Sequence, residues 1–451
     1  MTGLVSSFST IWQLAVPYFF SEDRWPGRIL LAAVIAVELS LVGITVLLTY
    51  WHNSFYNALQ DRNWDVFVNQ LMYFCVLATA ATVLHVYKLY LNQWLQIRWR
   101  RWMTKLYLNN WLDDATHYRM QLLGDSADNP DQRIAEDIRL FIERTLTIGV
   151  GLLSAIVTLA SFIVILWTLS NAAPLTLFGF NITAIPGYLV WAALIYAIVG
   201  TAFTHWIGWP LVPLNFNQQR FEADFRFNLI RVLENSEQIA MLGGEKTESK
   251  RLYSRFGKVV SNWHLIMTRQ KKLTFFTTGY TQISIVFPIV VVSPAYFSGV
   301  IQLGALVQTS SAFNSVQNSL SFFITIYREL AEWRAVIARL EGFNHSIAVA
   351  RATNTASPRV DIIPHATKTG LTIEGLSVRL PSGAPLVASD DIRIEAGQHA
   401  LVTGPSGGGK STFFRAIAGL WPFATGNIVV PQGAKLMILP QRPYFPVASL
   451  E

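Results

Sequence analysis

Six apolar runs dominate the pattern of hydrophobic and polar positions in the first three quarters of the chain. They cover residues 29–51, 67–90, 146–169, 186–208, 275–297 and 305–327. A helix needs about 20 mostly apolar residues to cross a bilayer, and every run reaches that length. The last run is rich in Ser, Asn and Gln, so we expect it to face other helices or a water-filled cavity. The pattern predicts an α-helical membrane domain with six transmembrane helices.

The basic residues that flank these runs are distributed unevenly. Segments 88–144 and 209–274 contain nine and eleven Lys or Arg residues, whereas 52–65, 170–185 and 298–304 contain one, none and none. Because basic loops are retained in the cytoplasm, the asymmetry predicts that both termini are cytoplasmic. The net charge of +7 then reflects topology, and neither basic loop has the base-stacking aromatics of a nucleic-acid surface.

Composition agrees with a membrane protein, since 52% of the residues are hydrophobic and only 14% are charged, against about 25% charged in soluble domains. The single cysteine, Cys75, excludes an intramolecular disulfide and a cysteine metal cluster, and we expect a buried thiol. Glu38 lies inside the first apolar run. A carboxylate there is a candidate proton or cargo site, and the alternative is a carboxyl group hydrogen-bonded between helices.

The segments between and after the apolar runs define the remaining parts of the chain. Apolar and aromatic residues continue at helical spacing beyond the second and fourth runs, which predicts helices that project from the membrane. Residues 352–370 are polar with two prolines and are typical of a linker. We therefore predict an N-terminal interfacial segment (1–28), the membrane domain (29–345), a linker (346–370) and a partial α/β P-loop nucleotide-binding domain (371–451).

The last of these regions has the pattern of an α/β domain. "LTIEGLSVRL", "DIRIEAG", "NIVV" and "KLMILP" predict strands, and "HALVTG" predicts a short strand that leads into a glycine loop. The following "STFFRAIAGLW" predicts an amphipathic helix.

The loop "GPSGGGKS" (404–411) fits the phosphate-binding pattern G-x-x-x-x-G-K-[ST]. Its glycines let backbone N–H groups converge on phosphates, and the following helix offers its positive end. Lys410 is expected to reach the β- and γ-phosphates of ATP, and Ser411 to ligate Mg²⁺. The predicted nucleotide-binding residues of this loop are Gly404, Pro405, Ser406, Gly407, Gly408, Gly409, Lys410, Ser411 and Thr412.

With "LPQRPYFP" further on, this loop resembles that of ABC transporters, and more narrowly of subfamily D and its bacterial SbmA/BacA-like relatives. The membrane half is similar as well, in "WHNSFYNALQDRNW" (51–64), "DNPDQRIAEDI" (128–138) and "EADFRFNLIRVLENSEQIA" (222–240). The resemblance implies that Gln441 binds Mg²⁺ and the water near the γ-phosphate. It also implies a homodimer in a bacterial inner membrane that moves fatty acyl compounds, peptides or cobalamin-like cargo at the expense of ATP.

The chain departs from the family pattern after Gln441. The signature loop, the Walker B aspartate with its catalytic glutamate and the switch histidine would all follow, but the sequence stops at Glu451. We assign no catalytic residue and keep two interpretations: a half-transporter truncated within its nucleotide-binding domain, or a short form whose domain only binds nucleotide or is vestigial. In the second case the alternative function is proton-driven secondary transport, and a membrane scaffold without transport is a third.

Two cytoplasmic segments carry further expectations. Glu222, Asp224 and Arg226 are expected to form ion pairs between helices, with proton coupling as the alternative. "DNPDQRIAEDI" predicts a turn followed by a helix whose charged residues form a solvated coupling surface.

Overall fold

A computed structural model describes residues 10–123, 129–172, 176–177, 180–181, 186–322, 326–355, 359–366, 369–434 and 436–439. The chain divides into two compact units. The first comprises residues 1–29, 93–145 and 331–451, and the second comprises 30–92 and 146–330.

Long helices make up most of the chain. In order, they are α1 (Arg24–Gln60), α2 (Trp64–Leu112), α3 (Thr116–Leu122), α4 (Ile138–Ala172), α5 (Tyr188–Gly208), α6 (Leu211–Glu234), α7 (Ser236–Met241), α8 (Glu245–Phe297), α9 (Leu303–Leu320) and α10 (Tyr327–Thr355). Shorter helical turns cover Val16–Phe20, Asp113–Ala115, Pro130–Gln132 and Arg133–Asp137. The helices predicted to run past the second and fourth apolar runs are present as the C-terminal part of α2 and as α6.

Among the described residues, five helical segments are long and apolar enough to cross a membrane, which confirms the first five predicted spans. They are Arg24–Gln60, Trp64–Leu122, Pro130–Ala172, Tyr188–Glu234 and Glu245–Phe297. The sixth apolar run contains α9, which is helical but too polar to meet the same criterion. Gln308, Thr309 and Gln317 of α9 are buried, as expected for a helix that faces other helices rather than lipid.

The core of the second unit is formed by α4, α5, α8 and α9. Phe162, Leu166, Leu189 and Phe313 are fully buried there. Small residues let these helices approach, since Ala193 and Ala312 are also fully buried. This cluster holds together helices that are separated by more than a hundred residues in the sequence.

A polar contact fixes the start of α9 against α1. The backbone N–H of Leu303 donates to Gln60 Oε1 at 2.7 Å, and that of Gly304 donates to Asn57 Oδ1 at 2.7 Å. These side chains satisfy N–H groups that have no acceptor within the helix. A Cβ atom on Gly304 would lie 2.0 Å from the backbone oxygen of Asn53, so only glycine permits this approach.

The first unit contains a buried charge network that contradicts one expectation. Arg133 and Asp137, predicted to lie on a solvated surface, are 8% and 1% exposed. Asp137 accepts hydrogen bonds from Arg133 (2.7 Å) and from Arg339 (2.6 Å and 2.9 Å). A buried carboxylate needs such partners because desolvation is costly. The predicted helix start is correct, since helical turns begin at Pro130.

The C-terminal part of the first unit is a four-stranded sheet with one helix, α11 (Lys410–Ile417). Its strands are β3 (Val360–His365), β4 (Leu371–Arg379), β5 (Pro385–Ile394) and β6 (Ala424–Pro431), in the order β3-β6-β4-β5. Strand β3 is parallel to β6, and the other pairs are antiparallel. Ile373, Val378, Ala416 and Ile428 form the centre of its apolar core. A two-residue hairpin, β1 (Thr176–Leu177) with β2 (Phe180–Asn181), lies in the second unit.

Two strand predictions are wrong. Residues 399–404 ("HALVTG") and the described part of "KLMILP", 436–439, form no strand. Leu401 is 88% exposed, and among the described residues no strand lies beside it. An apolar segment of this kind becomes a strand only when neighbours supply its hydrogen bonds. The stretch predicted as a linker is partly regular, because α10 continues to Thr355 and β3 belongs to the sheet.

Side-chain expectations also need correction. Cys75 is exposed on the protein surface rather than buried, because no other described element of this chain covers that face of α2. Glu222, Asp224 and Arg226 are exposed and form no ion pair within the described residues. Glu222 instead accepts a hydrogen bond from Gln218, at 2.9 Å on the same helix.

Candidate functional site

The phosphate loop connects residue 403 to the first turn of α11. Gly404, Gly407 and Gly409 have φ angles of 156°, 81° and 86°, which side chains rarely adopt. The N–H of Gly408 donates to the oxygen of Pro405 at 3.1 Å and closes a turn within the loop. The loop therefore has a fixed curvature that depends on its glycines.

Gly409 joins the loop to the helix and lies against β5. A Cβ atom at this position would lie 2.7 Å from Val387 Cγ2 and 2.8 Å from Leu386 Cγ. Gly409 is the residue before α11, and the N–H of Phe413 donates to its oxygen at 2.8 Å. The first N–H groups of α11 have no acceptor within the helix, so they are available to an anion.

Lys410 is the first residue of α11 and its side chain folds back over the loop. Its Nζ donates to the oxygens of Gly404 and Pro405, each at 2.8 Å. This places a positive charge beside the glycines that form the curve. A triphosphate fits this arrangement because backbone N–H groups, a helix N-terminus and an ammonium group are brought together in seven residues.

The remaining predicted residues of the site are placed differently. Ser411 and Thr412 lie in the first turn of α11, and Ser411 is exposed to solvent, where it could reach a metal ion bound to phosphates. Ser406 is exposed in the loop. Gln441, the other predicted metal ligand, lies outside the described residues. Among the described residues no group of three or more His, Cys, Asp or Glu could hold a metal ion.

A second candidate site is a polar cavity of about 370 Å³ in the second unit. Lys88 Nζ lies 2.5 Å from Glu38 Oε2, and the Glu38 side chain is only 7% exposed. The angles at this contact do not fit a hydrogen bond, so the two groups interact as an ion pair, through the attraction of their charges. Asn92, Thr147 and Glu329 also line the cavity. The structure thus places Glu38 with a cation, rather than alone in an apolar helix.

In the sequence, Lys88 is the first residue of the basic segment 88–144 at the end of the second apolar run. Its role as the partner of Glu38 has a weak sequence signal. The hairpin of α1 and α2 turns near residue 62, so positions about equally distant from the turn lie side by side. Glu38 and Lys88 are 24 and 26 residues from that turn, and this symmetry could have predicted the pair.

Comparison with known proteins identifies the family. A family model described as ABC transporter transmembrane region 2 matches residues 14–297, which is more than half of the chain. The chain belongs to the ABC transporters. The match agrees with the five apolar helices, and the chain is a multi-pass membrane protein.

Relatives place the chain among D-family-like half-transporters. It is 33% identical to ABC transporter D family member 2, chloroplastic, of Arabidopsis thaliana, over 99% of this chain and 67% of the relative. It is 34% identical to the inner membrane ABC transporter ATP-binding protein YddA of Escherichia coli, over 93% and 73%. The lysosomal cobalamin transporter ABCD4 of Homo sapiens is 22% identical over 88% and 67%.

A solved structure confirms the fold. The chain superimposes on a bacterial Atm1-family ABC exporter with ATP bound with a TM-score of 0.58 and 14% identity. The match covers 86% of this chain and 65% of the exporter chain, so the described fold corresponds to about two thirds of that protein. The prediction of an exporter-like helical domain followed by a partial P-loop domain is therefore confirmed.

Proposed function

We propose that this chain is a half-transporter that couples ATP binding at its phosphate loop to movement of a cargo across a bacterial inner membrane. The observation that carries the proposal is the loop geometry, in which Lys410 Nζ contacts two loop carbonyls at 2.8 Å at the start of α11. The D-family relatives that match over most of the chain support it, and one is named as an ATP-binding protein of an inner membrane.

Named residues would hold the nucleotide in this proposal. The N–H groups of Gly407 to Ser411 would surround the β- and γ-phosphates, and Lys410 would exchange its carbonyl contacts for phosphate oxygens. Ser411 would supply an oxygen to Mg²⁺, and Gln441 is the second proposed ligand. ATP supplies the free energy, and the loop positions its phosphates.

A contact in the first unit supports coupling between helical and sheet parts. Leu122, the last residue of α3, packs against the apolar core of the sheet. This core includes Phe413 and Ile417 of α11, the helix that begins at the phosphate loop. Movement of the loop on nucleotide binding would thus reach α3 through packed side chains.

Two copies are required in this proposal, because a pathway built from one set of five or six spans would be half of a transporter. The fold shared with an ABC exporter supports a homodimer. The cargo is fatty acyl, peptide or cobalamin-like, and a relative is named a cobalamin transporter.

Nucleotide binding tests the proposal directly. We expect the full chain in nanodiscs to bind a fluorescent ATP analogue in the presence of Mg²⁺. Lys410→Ala should weaken that binding at least about tenfold, equivalent to about 1.4 kcal/mol. Arg393→Ala, which removes one exposed charge from β5, is the matched control and should leave binding unchanged. Equal binding by both variants would reject the phosphate-loop proposal.

A second candidate function is proton-driven transport, favoured by the buried Glu38 carboxylate and its ion pair with Lys88. Uptake of labelled oleate, a peptide or cyanocobalamin into vesicles would distinguish the two. Dependence on ATP supports the first function, whereas abolition by a protonophore and by Glu38→Gln, without an effect of Lys410→Ala, supports the second.

The proposed orientation places α7 in the cytoplasm, from the basic residues of 209–274. In a Cys75→Ser background, Ala240→Cys should react with an impermeant thiol reagent only after cells are opened. Ser298→Cys, in the connection that lacks basic residues, should react on intact cells. Labelling of Ala240→Cys on intact cells would reverse the topology.

A further inference from the structure

A large apolar pocket lies between α5 and α8 of the second unit. Its volume is about 700 Å³, within the range of ligand sites. Phe203, Phe276 and Ile283 belong to its walls. The two helices run antiparallel here, because Tyr196 stacks on Tyr280 and Phe203 contacts Phe276. Lys271 and Lys272, the lining residues of α8 nearest its N-terminus, therefore mark one end of the pocket.

The opposite end of the pocket is bounded by a pair of tyrosines. Tyr196 and Tyr280 stack with ring centroids 4.4 Å apart, and each hydroxyl donates to the backbone oxygen of the other residue, at 2.5 Å and 3.0 Å. A Cβ atom on Gly200 would lie 2.3 Å from the ring of Tyr280, so glycine is needed for this packing. The pocket is therefore apolar throughout, with an aromatic end at the tyrosines. At its other end the hydrocarbon stems of the exposed Lys271 and Lys272 line the wall and bring two ammonium groups to the rim, which we call the cationic end.

The charge at the cationic end is not neutralised by the neighbouring elements. Residues 249–327 contain seven Lys or Arg and no Asp or Glu, and residues 145–219 contain no charged side chain. Helix α5 therefore offers no carboxylate to Lys271 and Lys272. Neither lysine forms an ion pair within the part of the chain that the structure describes.

The cationic end coincides with the border of a predicted span. The apolar run 275–297 begins three residues after Lys272. Trp206 and Trp209, at the end of α5, are 73% and 57% exposed. Tryptophan concentrates at membrane–water interfaces, so we expect this end at the level of the lipid headgroups and the apolar end in the hydrocarbon.

We propose that this pocket binds an anionic phospholipid of the surrounding bilayer. Lys271 and Lys272 would hold the phosphate, and an acyl chain would lie along the aromatic wall towards Tyr280. Charge complementarity selects the anionic class, because basic pockets between membrane helices recognise such headgroups. This lipid site goes beyond the proposed transport function and depends neither on the cargo nor on ATP.

Native mass spectrometry of the full chain in detergent tests the site, with phosphatidylglycerol and phosphatidylcholine as probes. The wild type should retain one phosphatidylglycerol per chain with at least about tenfold preference over phosphatidylcholine. Lys271→Gln with Lys272→Gln should remove the preference. The matched control is Lys250→Gln with Lys258→Gln, which makes the same charge change on α8 away from the pocket and should preserve it.

A second variant tests the apolar end without changing charge. Gly279 lines the pocket, and a Cβ atom there would meet nothing within 4 Å, so Gly279→Leu should fill the space without displacing the helix. Both lipids should then be lost. Gly257→Leu, at an equally open position of the same helix, is the control and should retain them. Equal retention of the two lipids by the wild type, or unchanged retention by Gly279→Leu, would overturn the proposal. A change in the monomer–dimer equilibrium without a change in lipid retention would assign the pocket to a second copy and also overturn it.

Discussion

The phosphate loop and the polar cavity around Glu38 are built on opposite principles. The loop is exposed, formed by consecutive residues, and shaped by backbone angles that glycine allows, such as the φ of 86° at Gly409. The cavity is lined by side chains from α1, α2, α4 and α10, and its central charge is 7% exposed. A loop of the first kind can accept a charged ligand at little cost, whereas a site of the second kind must neutralise its own charge.

The difference in exposure to solvent determines which ligands each site can bind. An exposed glycine loop leaves its N–H groups available and gains its affinity from the ligand's own charge. The buried Glu38 already uses its attraction to the partly exposed Lys88 to offset its own desolvation, so any cargo or proton that enters must compete with Lys88. The loop is suited to bind and release a soluble ligand. The cavity is suited to exchange one partner of Glu38 for another, when a proton or a cargo cation takes the place of Lys88.

Removing Lys88, the partly exposed partner of the buried Glu38, should have the largest effect on stability. Lys88→Met leaves the buried Glu38 carboxylate without its cation, and we expect a loss of at most about 3 kcal/mol in the free energy of unfolding, because solvent already reaches Lys88. The double variant Glu38→Gln with Lys88→Met removes both charges and should recover most of that loss. Thermal unfolding in detergent measures both effects.

Lys105→Met is the control for this prediction, because Lys105 is an exposed lysine of the same helix. Its change in thermal stability should be small. If Lys88→Met unfolds at the same temperature as Lys105→Met, the Glu38–Lys88 pair contributes nothing to stability, and the cavity tolerates the loss of a charge as well as an exposed surface does.

A substitution in the loop should produce a smaller, local effect. Gly409→Val introduces a side chain at a positive φ and crowds Val387, which together should cost about 2 kcal/mol. We expect faster amide hydrogen exchange in residues 404–420 and loss of ATP-analogue binding. The matched control is Gly433→Val, where φ is 79° and a Cβ atom meets nothing within 4 Å. Loss of binding in the control as well would show that general strain, rather than the shape of the loop, is responsible.

The same contrast explains which features could be predicted from the sequence. The phosphate loop and α11 were predictable because their geometry depends on eight neighbouring residues. The five spans were predictable because length and apolarity decide them. Glu38 could be selected as unusual, whereas its partner Lys88, 50 positions away, follows from the sequence only if α1 and α2 are taken as a hairpin that turns near residue 62.

Other features depended on context that local pattern does not contain. The apolar "HALVTG" has the composition of a strand, yet Leu401 remains 88% exposed because no strand lies beside it in the described chain. Arg133 and Asp137 are charged residues of the kind found on solvated surfaces, yet both are buried, and Arg339, about 200 residues later, pairs with Asp137. Composition predicts the preference of a segment, and the partners it meets decide the outcome.

The smallest expected effect concerns an ion pair of intermediate exposure. Asp23 accepts hydrogen bonds from Arg98, at 3.0 Å for Nε, and the two side chains are 25% and 21% exposed. The hydrogen bond from Arg98 holds the pKa of Asp23 below its usual value of 3.8, and burial raises the pKa of the neighbouring Tyr18 to about 12. Tyr18 therefore stays neutral at all ordinary pH values, so the titration in this cluster is that of Asp23.

The sign of the pH effect follows from the lowered pKa of Asp23. Its contribution to stability is fully present above the unfolded value of 3.8 and is lost as the pH falls through the lower folded value. Asp23→Asn should reduce stability by no more than about 1 kcal/mol at pH 7, because a partly exposed pair is screened by solvent. The difference between variant and wild type should shrink when thermal unfolding is measured at pH 3. Asp61→Asn, an exposed carboxylate that forms no ion pair within the described residues, should show no such dependence. A stability difference that is constant from pH 7 to pH 3 would mean that Asp23 acts through the shape of its side chain rather than through its charge. Solvent would then already screen the partly exposed Asp23–Arg98 pair, in contrast to the buried Glu38 carboxylate.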